Sequence, residues 1–267
     1  MSKTKKERNV MKKITMVLFC TLQLLAVSAQ QDTALARLQT TVGGTIVSKY
    51  MWRGLERGAM SIQPEVAVEW NGLRAGLMGS AGVTKDDKTE LNVSLGYSLK
   101  GVNVGVTDFW RSGTDVVDRY FQYEERKTGH RVEANVGYSC QWFSLQGYCS
   151  LLGNDFRAGG SRAYSTYIEL GVPFRLAGAE CEVRVGMTTH ESSSWIDGKT
   201  YEHEFGITTA YTPTYLYGDK AACNMASFRA TKPFEVKGMR LPVFVELHTN
   251  PYMRKASLVL GMGIWPL

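Results

Sequence analysis

The stretch from Ser61 to Val83 constrains this chain more than any other, because it alternates with a strict period of two and then turns back on itself. Ile62, Pro64, Val66, Val68 and Trp70 are apolar, and Gln63, Glu65, Ala67 and Glu69 stand between them. Such alternation belongs to a strand with one greasy face. Asn71-Gly72 follows, a dipeptide suited to a type I′ turn, in which both central residues take positive φ. Leu73, Ala75, Leu77, Gly79, Ala81 and Val83 carry the apolar face of the returning strand. A two-residue turn pairs Trp70 with Leu73 and Glu69 with Arg74. The apolar faces then coincide, and carboxylate meets guanidinium on the other side.

The rest of the chain repeats this hairpin. A first strand is expected from Leu38 to Trp52, with Val42, Gly44, Ile46, Tyr50 and Trp52 on its apolar face and a loop from Arg53 to Met60. Tight turns near positions 71, 100, 141, 176 and 238 alternate with longer connections near 55, 86, 120, 157, 205 and 252. That rhythm, with segments of about ten alternating residues, is the one transmembrane barrels use. His190 to Ala222 is the least regular part, where Phe205, Ile207, Thr209 and Tyr211 hint at a short strand. A closed bacterial barrel takes an even strand number. The expectation is an all-β, antiparallel transmembrane barrel of about twelve strands, with His190 to Ala222 as an outside loop carrying some strand structure of its own; fourteen needs a further strand.

Residues 1–29 read as a signal peptide: Lys12 and Lys13, an apolar run from Ile14 to Val27, and the small residues of Val27-Ser28-Ala29 before Gln30. Residues 30–267 then form a single domain. The leader holds six Lys or Arg and one Glu, and without it 25 basic groups face 24 acidic ones. The basicity of the whole chain is therefore no nucleic-acid footprint. No later segment offers the roughly 18 apolar residues of a membrane helix. Cys140, Cys149, Cys181 and Cys223 invite disulfides, but if Tyr138 pairs with Leu145, Cys149 falls opposite Ala134, roughly 20 Å along the strand from Cys140. Those two cannot bridge. Free thiols on the outward surface are expected.

Parity assigns two faces. On the outward one, Trp70, Tyr97, Tyr138, Phe174 and Phe234 end strands next to tight turns, as one interfacial girdle would, with Tyr50, Trp52 and Trp265 as further interface aromatics and Arg53 able to reach headgroup phosphates. Glu65, Glu69, Arg74, Arg131, Glu133, Glu169, Glu182, Arg184 and Glu246 fall on the inward parity as candidate lumen residues. Unpaired charges in a dry core would cost several kcal/mol each, and a hydrated lumen removes the difficulty. Mixed charge across a bore of about twelve strands predicts a narrow, weakly selective path.

At Ser48-Lys49-Tyr50-Met51-Trp52-Arg53-Gly54 the chain resembles a family of uncharacterised Gram-negative outer-membrane barrel proteins whose mature N-terminus carries Ser-x-Tyr-x-Trp-Arg-Gly. Ser61-Ile62-Gln63-Pro64, Tyr164-Ser165-Thr166-Tyr167, Leu241-Pro242-Val243-Phe244 and Asn250-Pro251 are similar to later landmarks of that family, and the signal ending in Ser-Ala-Gln looks like those of Bacteroides-type bacteria. The resemblance implies an outer-membrane barrel and brings no catalytic residues, metal or cofactor. Glu202-His203-Glu204 lacks a workable metal spacing, since strand neighbours cannot all face one ion. His248 follows inward Glu246 by two residues, which suits a hydrogen-bonded lumen pair. The expected role is a narrow passive channel for small polar solutes or a barrel presenting surface loops, without catalysis. Its partners would be outer-membrane lipid, lipopolysaccharide and the barrel-assembly machinery. The rival readings are a barrel enzyme acting on lipid or cell wall and a soluble periplasmic β-sandwich binding protein.

Overall fold

A computed structural model describes residues 38–264, apart from 85–87, 113–119, 125–127, 158–159, 193, 204–205 and 237–238. The first half of the chain contains β1 (Gln39–Val47), β2 (Tyr50–Trp52), β3 (Leu55–Gly58), β4 (Ser61–Trp70), β5 (Leu73–Gly82), β6 (Glu90–Leu99), β7 (Val102–Arg111) and β8 (His130–Ser139). The second half contains β9 (Ser144–Gly153), β10 (Thr166–Leu176), β11 (Ala179–Thr188), β12 (Ser194–His203), β13 (Gly206–Tyr215), β14 (Ala222–Val236), β15 (Met239–Asn250) and β16 (Lys255–Gly263).

Twelve of these strands close into one antiparallel barrel in the order β1-β16-β15-β14-β11-β10-β9-β8-β7-β6-β5-β4. Neither the fourteen-strand alternative nor the β-sandwich survives. β12 and β13 pair only with each other, so the irregular stretch is a connection with its own two strands and takes no place in the wall. β1 closes the ring, pairing along its whole length with β4 and through Thr45, Ile46 and Val47 with β16.

The hairpins form as the turn residues dictate. Trp70 faces Leu73 and Glu69 faces Arg74, with φ of 51° at Asn71 and 80° at Gly72. Lys100-Gly101 and Ala177-Gly178 adopt the same doubly positive pattern. Tyr138 pairs with Leu145 and Ala134 with Cys149, and Cys140, Cys149, Cys181 and Cys223 are free thiols.

Polarity is inverted relative to a water-soluble fold. Val66, Val68, Leu77, Leu95, Val104, Val136 and Leu170 are exposed on the outer wall, whereas Glu90, Asn92, Glu133 and Glu246 are buried on the inner one. Trp70, Tyr138, Phe174 and Phe234 are exposed on the outer wall, and Tyr97 lies beside them, across from Leu73. Trp265 lies outside the described residues.

One expectation fails. The strand read as continuous from Leu38 to Trp52 stops at Val47, which still pairs with Ser61, so residues 48–60 leave the wall and return to it. The bend comes at Ser48, which is still tied to β16: its amide donates to the Leu260 carbonyl at 2.8 Å, and its hydroxyl accepts from the Leu260 amide at 2.9 Å. Beyond that bend, counting parity along β1 no longer tells which way a side chain points. Tyr50 and Trp52 turn inward, and the supposed loop contains β3, paired with β2.

Gly72 tests the hairpin frame, because its φ is left-handed and a Cβ there would run into the Ser98 carbonyl oxygen. Gly72→Val should cost about 1–3 kcal/mol. The temperature at which the folded gel band converts to the unfolded one should fall accordingly.

Candidate functional site

β2 and β3 form a small hairpin folded into the barrel mouth at the end of the long connections. Trp52 pairs with Leu55 across Arg53-Gly54, whose φ values of 49° and 81° make a second turn of the I′ kind. The backbone of this tip is fastened to β15. The Gly54 amide donates to His248 Nε2 at 2.9 Å, and Asn250 Nδ2 donates to the Gly54 carbonyl at 3.1 Å. A Cβ at position 54 would collide with the Asn224 carbonyl oxygen. Glycine is thus required twice, by φ and by close approach.

Arg53 is the side chain this tip delivers. Its Nη1 and Nη2 donate to the two Glu133 oxygens at 2.8 and 2.6 Å, and Nη1 also donates to the Tyr217 hydroxyl at 2.8 Å. The guanidinium carbon lies 3.9 Å from the Tyr148 ring centre, 4.5 Å from that of Trp52 and 4.9 Å from that of Tyr167. Arg53 is 7% exposed and Glu133 4%. Burial disfavours the charge, but the Glu133 carboxylate, through its charge and its hydrogen bonds, outweighs it and holds the Arg53 pKa well above its ordinary value. Burial likewise pushes the Tyr217 phenol up, against the pull of Arg53. Arg53 stays charged and Tyr217 neutral.

Separate elements supply the cage. Glu133 comes from β8, Tyr148 from β9 and Tyr167 from β10, where Gly186 of β11 leaves the space that the Tyr167 phenol fills. Tyr217 follows β13. Ser192 Oγ accepts from the Tyr217 and Gly218 amides at 2.9 and 3.1 Å, and Asn224 Nδ2 donates to the Tyr217 carbonyl at 2.7 Å.

A second carboxylate, Glu90 of β6, holds the flank of the hairpin. Tyr50 donates its hydroxyl to Glu90 at 3.0 Å, Arg57 donates at 2.8 Å, and Arg111 lies 3.3 Å away. Burial, then the neighbouring Glu90, pushes the Tyr50 phenol up. Trp52 packs against Phe109 and Tyr217, with the Arg57 guanidinium 4.1 Å over its ring.

The other expected lumen residues form their own network. Glu246 receives Arg184 at 2.8 Å and Arg229 at 2.6 and 2.9 Å, and Arg184 lies 3.5 Å from Glu182 and 3.7 Å from Glu169. Because His248 Nε2 accepts from Gly54, the ring proton sits on Nδ1 and points to Glu246 at 3.3 Å. Arg131 lies 3.7 Å from Asp155. Glu69 faces Arg74 in register, but Arg74 forms its ion pair with Glu65, at 2.6 Å and half exposed.

Two corrections follow for the interface residues. Tyr50 and Trp52 bind Glu90, Phe109 and Tyr217 inside the mouth, and Arg53 is caged with Glu133 rather than reaching outward. Sequence reasoning missed His248, Tyr148, Tyr167 and Tyr217 as partners of this site. The available signal was Arg53-Gly54 itself: an X-Gly pair between the apolar Trp52 and Leu55 reads as a hairpin turn, and a hairpin there must fold inward or stand free. Among the described residues no group of His, Cys, Asp and Glu is arranged to hold a metal. Glu204 lies outside them, as do the side chains of Glu202 and His203.

No family model matches the chain, and no curated protein matches it. Among solved structures, a chain from work on the in-meso crystallization of membrane proteins shares 7% identity over 84% of this chain and 82% of its own, with a TM-score of 0.40. That likeness is too loose to carry an argument.

The Arg53–Glu133 pair should behave as one unit. Arg53→Ala or Glu133→Gln alone leaves a buried group without its partner and should cost about 3–5 kcal/mol. The double variant should lose less than the sum by roughly 0.5–3 kcal/mol. Thermal conversion in detergent, followed for all four proteins, gives the coupling.

Proposed function

We propose that this chain is an outer-membrane β-barrel of a Gram-negative bacterium, inserted after removal of residues 1–29, and that it is a narrow passive channel closed at its loop end by the β2–β3 hairpin. The inverted polarity of the wall carries this reading. Ten-residue strands at about 3.3 Å per residue, tilted by about 40°, rise roughly 25 Å, the height of the apolar band such barrels present to lipid. A wall of exposed valine and leucine is unfavourable in water and favourable in a bilayer. The closed ring leaves no unpaired strand edge in hydrocarbon. The partners that follow are outer-membrane lipid and lipopolysaccharide on the outside and the barrel-assembly machinery during insertion. The resemblance of the Ser-x-Tyr-x-Trp-Arg-Gly motif to that of Bacteroides-type barrels supports this reading.

Size limits the cargo. Twelve strands about 4.8 Å apart and tilted by about 40° enclose a ring roughly 24 Å across, and inward side chains take about 5 Å from each wall. That leaves room for one hairpin or for a small polar solute. The walls beyond the hairpin carry Glu65, Arg74, Glu169, Glu182, Arg184, Arg229 and Glu246, a mixed set that favours hydrated solutes of either sign.

Planar-bilayer recording tests the channel. The unmodified protein should conduct weakly with little ion preference, and Gly54→Val, which cannot seat the hairpin tip, should conduct more. A wide, porin-like conductance in the unmodified protein, or no change in the variant, contradicts the plug. Epitopes placed at 121–124 should be labelled on intact cells and those at 71–72 should not; the reverse means the barrel is inverted. Incubation with phospholipid or lipopolysaccharide should release no product, and turnover would favour the enzyme reading instead.

A further inference from the structure

We propose that the cage around Arg53 is a binding site for solutes bearing a guanidinium or a similarly planar, delocalised cation, and that such a solute opens the barrel by taking the place of Arg53. The second half rests on the channel reading; the first does not.

The cage is complete without the hairpin that fills it. Glu133, Tyr148 and Tyr167 belong to three adjacent wall strands and Tyr217 to the connection before β14, so of the groups around the guanidinium only Trp52 travels with Arg53. Two carboxylate oxygens at 2.6 and 2.8 Å match a planar fork, and the Tyr148 ring offers a face at 3.9 Å. A fork and a stacking plane select guanidinium over a compact ammonium, which makes point contacts and holds its water more tightly. Quaternary ammonium lacks the hydrogen-bond donors altogether.

Exchange is favoured over simple opening for an electrostatic reason. Withdrawing Arg53 alone would strip the buried Glu133 carboxylate of its forked partner and leave it to share the Arg131 charge with Asp155, which is unfavourable. A solute carrying the same group removes that penalty. The remaining ties are these: β2 and β3 share three residue pairs with an irregular register, the tip holds β15 through Gly54, Tyr50 and Arg57 hold Glu90, Arg111 donates to the Arg57 carbonyl, Trp52 packs on Phe109 and Tyr217, and Tyr50 packs with Phe244 and Val259. Arg53 is thus a tethered competitor for a site on the wall.

The test uses methylguanidinium as probe and tetramethylammonium at equal ionic strength as control, on the full chain in detergent and in planar bilayers. In detergent, methylguanidinium should raise the thermal conversion temperature of Arg53→Ala, tetramethylammonium should not, and Arg53→Ala/Glu133→Gln should respond to neither. In bilayers, methylguanidinium should increase the conductance of the unmodified protein. Arg53→Lys, which keeps the charge but loses the fork, should open at a methylguanidinium concentration about tenfold lower, because its tethered competitor is weaker. Should Arg53→Ala fail to fold, Arg53→Lys and the unmodified protein decide. Equal responses to the two cations, or a response that persists without Glu133, overturn the site. Cation-specific stabilisation in detergent with silent bilayers throughout would uphold the site and remove the channel.

Discussion

Every strand of a sheet presents backbone donors and acceptors on both edges, and this chain satisfies them by closing on itself through β1. The rest follows from that closure. A closed wall has an inside and an outside, and period-two alternation sends every second residue to each. The outside became apolar, the inside filled with carboxylates and guanidiniums, and the interior was left too narrow for a second layer of structure. β1 serves the closure in a second way. It pairs with both neighbours up to Val47, and only then does the chain leave the wall, so the excursion of residues 48–60 starts and ends at a fixed point on the rim.

That excursion is held by few groups, each strong. Arg53 and Glu133 form a forked ion pair away from water, framed by aromatic rings, and Glu90 repeats the device on the flank with Tyr50 and Arg57. Between them the backbone of Gly54 is fixed to β15 by His248 and Asn250. The wall positions are set by strand register, which makes them rigid receptors; the hairpin is short and brings its own charge. A mouth built this way is closed by buried charge pairs together with the packing of Tyr50, Met51 and Trp52, and it responds to what else can satisfy Glu133.

The wall was legible in the sequence because its signals are local. Asn71-Gly72 sets a turn and a register, and the alternation on either side sets the faces; the strand order and the pairing of Ala134 with Cys149 follow from arithmetic on such turns. The irregular stretch was separable for the same reason, since it lacks sustained alternation. The mouth was illegible because its information is non-local. Tyr50 and Trp52 keep the outward parity of β1 on paper, and only contacts distant in sequence, such as the bond from Tyr50 to Glu90, 40 residues on, show that they have turned inward. Glu133 was read as a lumen residue, but its partner lies 80 residues away, on an element that had been read as an exposed loop. Tyr217 stands in the stretch with the weakest pattern and owes its place to Ser192 and Asn224.

Hydrogen exchange at the Gly54 amide is the most direct measure of the latched hairpin. If the tip sits inside the mouth with its amide on His248, Gly54 should exchange at least as slowly as the edge residues of the barrel strands, and Glu133→Gln should release it while amides such as Leu95 and Val104 stay protected. A Gly54 amide that exchanges like an exposed loop in the unmodified protein, or one unaffected by Glu133→Gln, would contradict the account.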